Sequence, residues 1–348
     1  MSNRRVRGFA LLSVLLAGAG CSMGSLRTGE PPGTPAIARQ AEPTSSAGPF
    51  LYVGGWKLSM YALGSAEPLH VTSTQYVSQA YLALDSHGDL CLANGNITDP
   101  AISAYNARTL QLEGTRGGAG AGPAAANHSG YLYEASGGAY VLVYATGCTH
   151  YVNAIGHCVC GPLVFDQSGN LYAGSDGIRI YAPTQKPDRM KFVRTIRDGV
   201  DGPVALAIGP SGELFVVNYG SGSSFSVSVF APGGSKPIRR ITKGLDYPGP
   251  IAVDSRGWVY VASRPPPSYP SWVSVYAPGG TRPIRYLKYK GQRIAADALA
   301  IDPSDNLYAA TSIASREVVA VYTPGGTKLS YIIHKGVNGA TALLIGSP

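Results

Sequence analysis

The stretch AVDSRGWVYVA, residues 252–262, reads as an apolar strand, a tight turn and a second apolar strand. Asp254 ends the first strand with a carboxylate short enough to bond back to the next amides, and Gly257 can adopt a positive φ. Val259, Tyr260 and Val261 then return, so the segment is a β-hairpin. The phrase recurs as ALDSHGDLCLA at 83–93, AANHSGYLYEA at 125–135, VFDQSGNLYAG at 164–174, AIGPSGELFVV at 207–217 and AIDPSDNLYAA at 300–310. Asp85, Asn127, Asp166 and Asp302 hold the place of Asp254. In the fourth copy Gly209 stands there, followed by Pro210, which presets φ. The turn glycines are Gly88, Gly130, Gly169, Gly212 and Gly257, with Asp305 in the sixth place, a residue that tolerates the left-handed region better than most.

Successive anchors lie 42, 39, 43, 45 and 48 residues apart. A period in the forties built from strand-length apolar runs is the signature of four-stranded propeller blades. Each copy continues with a third strand and a Pro-Gly turn into a fourth, as in VSVFAPGGSKPIRRI, VSVYAPGGTRPIRYL and VAVYTPGGTKLSYII. Pro followed by Gly at the centre of a turn predicts type II geometry. We label the four strands A to D. GATALLIGSP at the C-terminus aligns with strand A of the fourth copy, while FLYVGG at 50–55 aligns with strand B and LSMYALGSAEPLHVTS supplies C and D. The two partial copies are complementary. The sequence therefore predicts an all-β chain, a seven-bladed β-propeller of four-stranded antiparallel blades. Its ring is closed by a composite blade drawn from both termini.

Composition agrees. Among 348 residues there are 45 Gly, 26 Pro and 22 Tyr, with 45% apolar and only 14% charged residues, which suits many short strands joined by tight turns. Residues 1–21 run from Arg4, Arg5 and Arg7 through GFALLSVLLAGAG to Cys21. That apolar stretch is too short to span a bilayer, which takes about 20 residues, but suits a signal-peptide core. Residues 22–47, rich in Pro, Gly, Ser and Thr and without periodicity, read as a flexible linker, leaving 48–348 as a single propeller domain. Removing the leader lowers the formal charge from +8 to +5. The densest basic stretches, 235–244 and 281–293, read as edge strands whose charges prevent sheet-to-sheet aggregation, so nucleic acid is not expected as a partner.

The leader resembles a bacterial lipoprotein signal: Ala19 and Gly20 precede Cys21, although Gly18 stands where an aliphatic residue is usual. The resemblance implies an exported protein of the cell envelope whose Cys21 carries the lipid that anchors it to a membrane.

CTHYVNAIGHCVC gathers Cys148, His150, His157, Cys158 and Cys160 within thirteen residues. Thiolates and imidazoles of this kind can hold zinc or copper. In an exported chain with four Cys besides Cys21, a disulfide is the preferred reading and no metal is assigned. Cys148 with Cys158 or Cys160 would clamp the last strand of the second blade, leaving Cys91 as a buried thiol or the partner of the remaining Cys.

Taken with V-Y-A-P-G-G, the phrase D-x-x-G-x-L-Y resembles the NHL-repeat branch of the propellers and the related gluconolactonase and regucalcin-like superfamily, over roughly residues 48–348. The resemblance implies that strand A lines a central channel. It puts the A–B and C–D turns on one face, and the B–C and D–A loops on the other, where ligands usually bind. On that second face this sequence varies most: 54–57, 94–101, 218–226, 264–272 and 312–318. Residue types found at binding hot spots lie there, and the candidate binding residues are Trp56, Asn94, Asp176, Asn218, Tyr219, Arg264, Trp272 and Arg316.

Lactonases of that superfamily hold a divalent cation with Glu, Asn and Asp projected from inner strands and nearby loops. Here the inner strands contain no Glu, and no spacing forces Asp297, Asn218 and Asp176 together. The six His are scattered, and no Ser–His–Asp set, phosphate loop or paired-carboxylate motif is present, so no catalytic residue is assigned. The reading that follows is a non-enzymatic binding or scaffold module presenting its loop face to a protein, glycan or small ligand, without a cofactor. The alternative is a metal-dependent hydrolase, lactonase or lyase with a divalent cation in the channel.

Overall fold

A computed structural model of the protein describes residues 48–73, 80–94, 101–117, 122–136, 140–156, 161–266 and 270–348. The expected signal peptide, lipidated Cys21 and linker lie outside the described residues, as do Cys158 and Cys160.

Seven four-stranded antiparallel sheets form the blades of the expected propeller. The hairpin phrase folds as its residue types dictate. In blade 5 (Pro248–Tyr286), Asp254 Oδ1 accepts bonds from Arg256 N at 3.0 Å and Trp258 N at 2.9 Å, and Gly257 has φ +81°. Asp85, Asn127, Asp166 and Asp302 make the same pair of amide bonds. In blade 4 (Pro203–Ile241) Gly209 brings no carboxylate, and Glu213 reaches back from the far side of the turn to Ser211 N at 3.1 Å. Asp305, in the glycine place at φ +64°, also accepts from Ser255 N and Oγ of blade 5 at 2.8 and 2.7 Å, so it bridges two blades.

The C–D turns have the expected type II shape. Gly233, Gly279 and Gly325 follow proline with φ between +69° and +74°, and Gly234 N bonds to Ala231 O at 2.8 Å.

Blade 7 is the composite. Phe50–Gly54 is its strand B, Leu58–Ala62 its C and His70–Val71 its D, while the inner strand is Ala342–Gly346 from the other end of the chain. Phe50 pairs with Gly346 and Gly54 with Ala342, and this antiparallel register closes the ring.

Strand B is buried along its whole length in blades 3, 4, 5 and 7, because each sheet is sandwiched between two neighbours. That explains why these strands read as continuous apolar runs, whereas outer strands such as Pro237–Ile241 alternate. The core is divided into seven clusters, one at each junction between adjacent blades. Polar links cross the same junctions. At one repeat position of strand D, Arg194 donates to Gly233 O at 2.6 Å, Arg285 to Gly325 O at 3.1 Å and Asn153 to Asp188 O at 3.0 Å, each in the next blade's C–D segment. Arg285, in one of the two densest basic stretches, is thus a stitch between blades as well as an edge charge.

The Cys91–Cys148 disulfide ties strand B of blade 1 (Ala80–Gly117) to the C–D segment of blade 2 (Ala124–Ile155), with Cα atoms 6.1 Å apart. This corrects the expected pairing of Cys148 with Cys158 or Cys160 inside blade 2. Ring packing lays the turn around Cys148 (φ +53°) over the neighbouring blade, and Gly147 N donates to Asp85 Oδ2 at 2.9 Å. Cys148 therefore points at blade 1.

The longest spacing, 48 residues between Gly257 and Asp305, also has a structural origin. Strand D of blade 5 is only Arg285–Tyr286, and a small extra hairpin, Lys288–Tyr289 with Gln292–Arg293, follows it.

Candidate functional site on the loop face

The B–C and D–A connections emerge together on one face. Between blades 6 (Ala298–Ile333) and 7, beside the B–C loop of blade 5, they enclose a cleft of about 250 Å³ lined by Trp56, Arg264, Asp297, Thr311, Ser312, Glu317 and Gly339–Thr341.

Its walls follow from local sequence. The strand B–strand C hairpin of blade 6 is the longest here, Leu307–Ile313 paired with Arg316–Tyr322, and it projects Thr311, Ser312 and Glu317 to the rim. Glu317 Oε2 accepts a bond from Gly339 N. Trp56 N donates to Asn338 O at 2.9 Å, and the indole lies so close over Gly339 that a Cβ there would come within 2.7 Å of the ring. Gly339, at φ +59°, is thus required by both its conformation and the close approach of Trp56. Trp56 nevertheless remains 56% exposed.

Asp297 enters from the start of the inner strand of blade 6, at the repeat position held by Val204, Gly249 and Thr341 elsewhere. Its Oδ1 lies 2.5 Å from Arg264 Nη2. Burial pushes the Asp297 carboxyl above its usual range, Arg264 counteracts this, and Glu317 adds to it.

Thr311 explains why a cleft exists here. In blade 4 the corresponding Asn218 accepts from Asp201 N at 3.0 Å, and in blade 5 Ser263 Oγ accepts from Asp246 N at 3.3 Å. The equivalent loop residue before blade 6 is Ile294, whose N–H goes instead to Leu287 O at 3.2 Å because the extra hairpin diverts the chain. Thr311 is 4% exposed and its Oγ1 has no partner among the described residues. An unpaired buried hydroxyl costs free energy on the order of 1–3 kcal/mol, and this one belongs to a residue of the cleft wall.

Of the sequence candidates, Trp56 and Arg264 meet in this cleft. Tyr219 lies beyond it, 41% exposed, edge-to-face with Phe225 at 5.3 Å and Tyr247 at 5.5 Å; Tyr247 O in turn accepts from Arg264 N at 3.1 Å. Asn218 is fully buried, and its Nδ2 lies within 3.2 Å of Gly199 O, Ser226 Oγ and Ser228 Oγ, so its polar capacity is used by the fold. Trp272 is half-buried, with Nε1 donating to Gly244 O at 3.0 Å and the ring against Tyr286 and Arg293. Asp176 is paired with Arg197 at 3.1 Å and Arg179 at 3.7 Å, which holds its carboxyl below the usual range. Arg316 is exposed at the base of the blade 6 turn and does not line the cleft. Asn94 ends strand B of blade 1, and its side chain lies outside the described residues.

Sequence reading missed Thr311 and Glu317 as site residues. The signal for Thr311 was the run of polar or small residues closing strand B in every copy, and for Glu317 a carboxylate inside the variable segment 312–318. Asp297 was weighed with Asn218 and Asp176 as a cation ligand, but its meeting with Arg264 was not legible.

The lactonase resemblance implies a divalent cation held by converging side-chain oxygens. Among the described residues no three His, Cys, Asp or Glu side chains come together to hold an ion. A hard cation needs several converging oxygens. Asp176 and Asn218, already engaged as above, do not join Asp297 in the cleft.

No protein-family model matches the sequence, and no curated protein matches it. Solved structures share its fold. A functionally unknown protein from Desulfotomaculum acetoxidans superposes with a TM-score of 0.68 at 15% identity, covering 86% of this chain and 99% of that one. The periplasmic gluconolactonase of Pseudomonas aeruginosa gives 0.63 at 16% identity, over 86% of this chain and 100% of that one. A protein from Lactobacillus plantarum gives 0.63 at 14%, covering 86% and 99%. Likeness at this level of identity shows the fold alone.

Proposed function

We propose that the protein is an exported propeller, tethered to a membrane by a lipid on Cys21, that acts as a non-enzymatic binding module through its B–C and D–A loop face. The observation that carries this reading is the cleft between blades 6 and 7. An exposed tryptophan, an arginine–aspartate pair and an unpartnered buried hydroxyl border one open space there. Small polar ligands are held by such combinations of a flat apolar surface and a few fixed polar groups. The leader residues 1–21 and the linker 22–47 support export and tethering.

The gluconolactonase similarity favours the alternative of a metal-dependent lactone hydrolase, but the acids it would need do not converge among the described residues. The test uses the full chain carrying Cys21→Ser, so that it purifies without lipid. Aldonolactone hydrolysis is measured with magnesium, calcium, manganese or zinc, in parallel with thermal-shift screening against polar small molecules and glycans. Ligand-dependent stabilisation that Trp56→Ala abolishes, with no turnover above background, is expected. Chelator-sensitive turnover would overturn the non-enzymatic reading. Radiolabelled palmitate incorporation that Cys21→Ala eliminates checks the anchor.

A further inference from the structure

We propose that the loop face binds an uncharged oligosaccharide along an arc from blade 7 to blade 4. This rests on the binding-module reading above and names its ligand class. The arc starts at Trp56, whose five-membered ring packs close against Gly339 and which is more than half exposed. It continues through Glu317, Thr311 and the Asp297–Arg264 pair, and reaches Tyr219 through Tyr247, which is bonded to Arg264 through the backbone.

Four observations select a saccharide. A flat exposed indole stacks well on the C–H face of a pyranose, and a second aromatic cluster beyond Arg264 offers a platform for another unit of the same chain. Between the platforms stand planar, multiply hydrogen-bonding groups, a guanidinium and two carboxylates, suited to neighbouring hydroxyls. Thr311, a residue of the cleft wall, keeps a buried Oγ1 without a partner, a group that can both donate and accept, as a sugar hydroxyl also does, once a small side-chain movement exposes it. Arg264 is paired with Asp297 and Glu317 is bonded to Gly339 N, so the three side chains sum to a formal charge of only −1 and no strongly charged ligand is called for. Among the described residues, Ala340 is the one aliphatic side chain lining the cleft, and it forms no pocket for the apolar side chains of a peptide.

The test uses the full chain with Cys21→Ser and four neutral probe series of two to six units: cello-, malto-, manno- and N-acetylchito-oligosaccharides. Saturation-transfer NMR and calorimetry read binding. At least one series is expected to bind, with affinity rising with length. Trp56→Ala and Thr311→Val should each weaken it by roughly tenfold or more. Tyr219→Ala should weaken the hexasaccharide while leaving the disaccharide unchanged. Trp56 is exposed, so its variant tests the site even if Thr311→Val fails to fold, which circular dichroism reports. No binding by any series overturns the proposal. Binding indifferent to Trp56→Ala overturns this location while leaving the binding-module reading standing. Preference for spermidine or for polygalacturonate over every neutral series overturns the ligand class. Chelator-sensitive cleavage of a probe overturns both readings.

Discussion

Arg264 Nη2 of blade 5 stands 2.5 Å from Asp297 Oδ1 at the mouth of the inner strand of blade 6, and the pair spans the two blades beside the cleft. The aspartate side chain is 25% exposed and the arginine 62%, so water screens the guanidinium more than the carboxylate. Arg264→Met should raise the Asp297 pKa further, because burial and Glu317 then act unopposed. Carboxyl-carbon NMR titration checks this. A double-mutant cycle with Asp297→Asn should return about 1 kcal/mol or less and shrink in concentrated salt, as expected for a partly exposed pair.

The turn that lifts Thr311 and Glu317 to the rim is under strain. Ile313 pairs with Arg316, leaving Ala314 and Ser315 as a two-residue turn with φ +49° and +61°. That geometry favours Asn-Gly, and an alanine held there costs about 1 kcal/mol. Ala314→Asn with Ser315→Gly should raise stability by about 1 kcal/mol in urea denaturation, with the fold unchanged by circular dichroism.

The Cys91–Cys148 bond closes a sequence separation of 57 residues across a blade junction. Replacing both by serine should cost about 2–5 kcal/mol in chemical denaturation, chiefly through the freer unfolded chain. Peptide mapping without reduction should recover the segment around Cys91 linked to that around Cys148. A fragment linking Cys148 to Cys158 or Cys160 would contradict the blade-to-blade link.

Glu134, 1% exposed in strand B of blade 2, is a buried acid that sequence reading passed over. Burial pushes its carboxyl up to about 7, partly offset by the Tyr144 hydroxyl, which donates to it at 3.1 Å. The folded state therefore keeps a proton that the unfolded chain releases above its ordinary pKa of about 4.5. This contribution to stability is complete below about pH 4.5 and declines until about pH 7, by on the order of 3 kcal/mol. Glu134→Gln should remove that slope and leave the protein more stable than the parent at pH 8. Denaturant midpoints measured from pH 4 to pH 8 check the sign.

Much of the architecture was legible because its causes are local. Asp254, two turn residues and Gly257 make a hairpin wherever they occur, and a blade repeats every forty-odd residues because each sheet must cover the next. The complementary partial copies around Phe50 and Gly346 predict the shared closing blade, and the structure supplies its register.

The site was legible only in pieces. Trp56 and Arg264 were flagged by type and by their variable loops, yet so were Asn218 and Trp272, which the fold consumes in its own hydrogen bonds. Nothing in their neighbouring residues separates the two pairs.

The chain by itself determined that there are seven blades, where their repeated hairpins turn, and that its ends share one of them, since alternation and turn chemistry act over a few residues. Tertiary packing decided which side chains meet. Cys148 was carried to Cys91 rather than to its near neighbours in sequence, and Thr311 lost the amide that its counterparts Asn218 and Ser263 receive. Both outcomes are set by how one blade lies against the next, a relation among residues tens of positions apart that ring closure alone fixes.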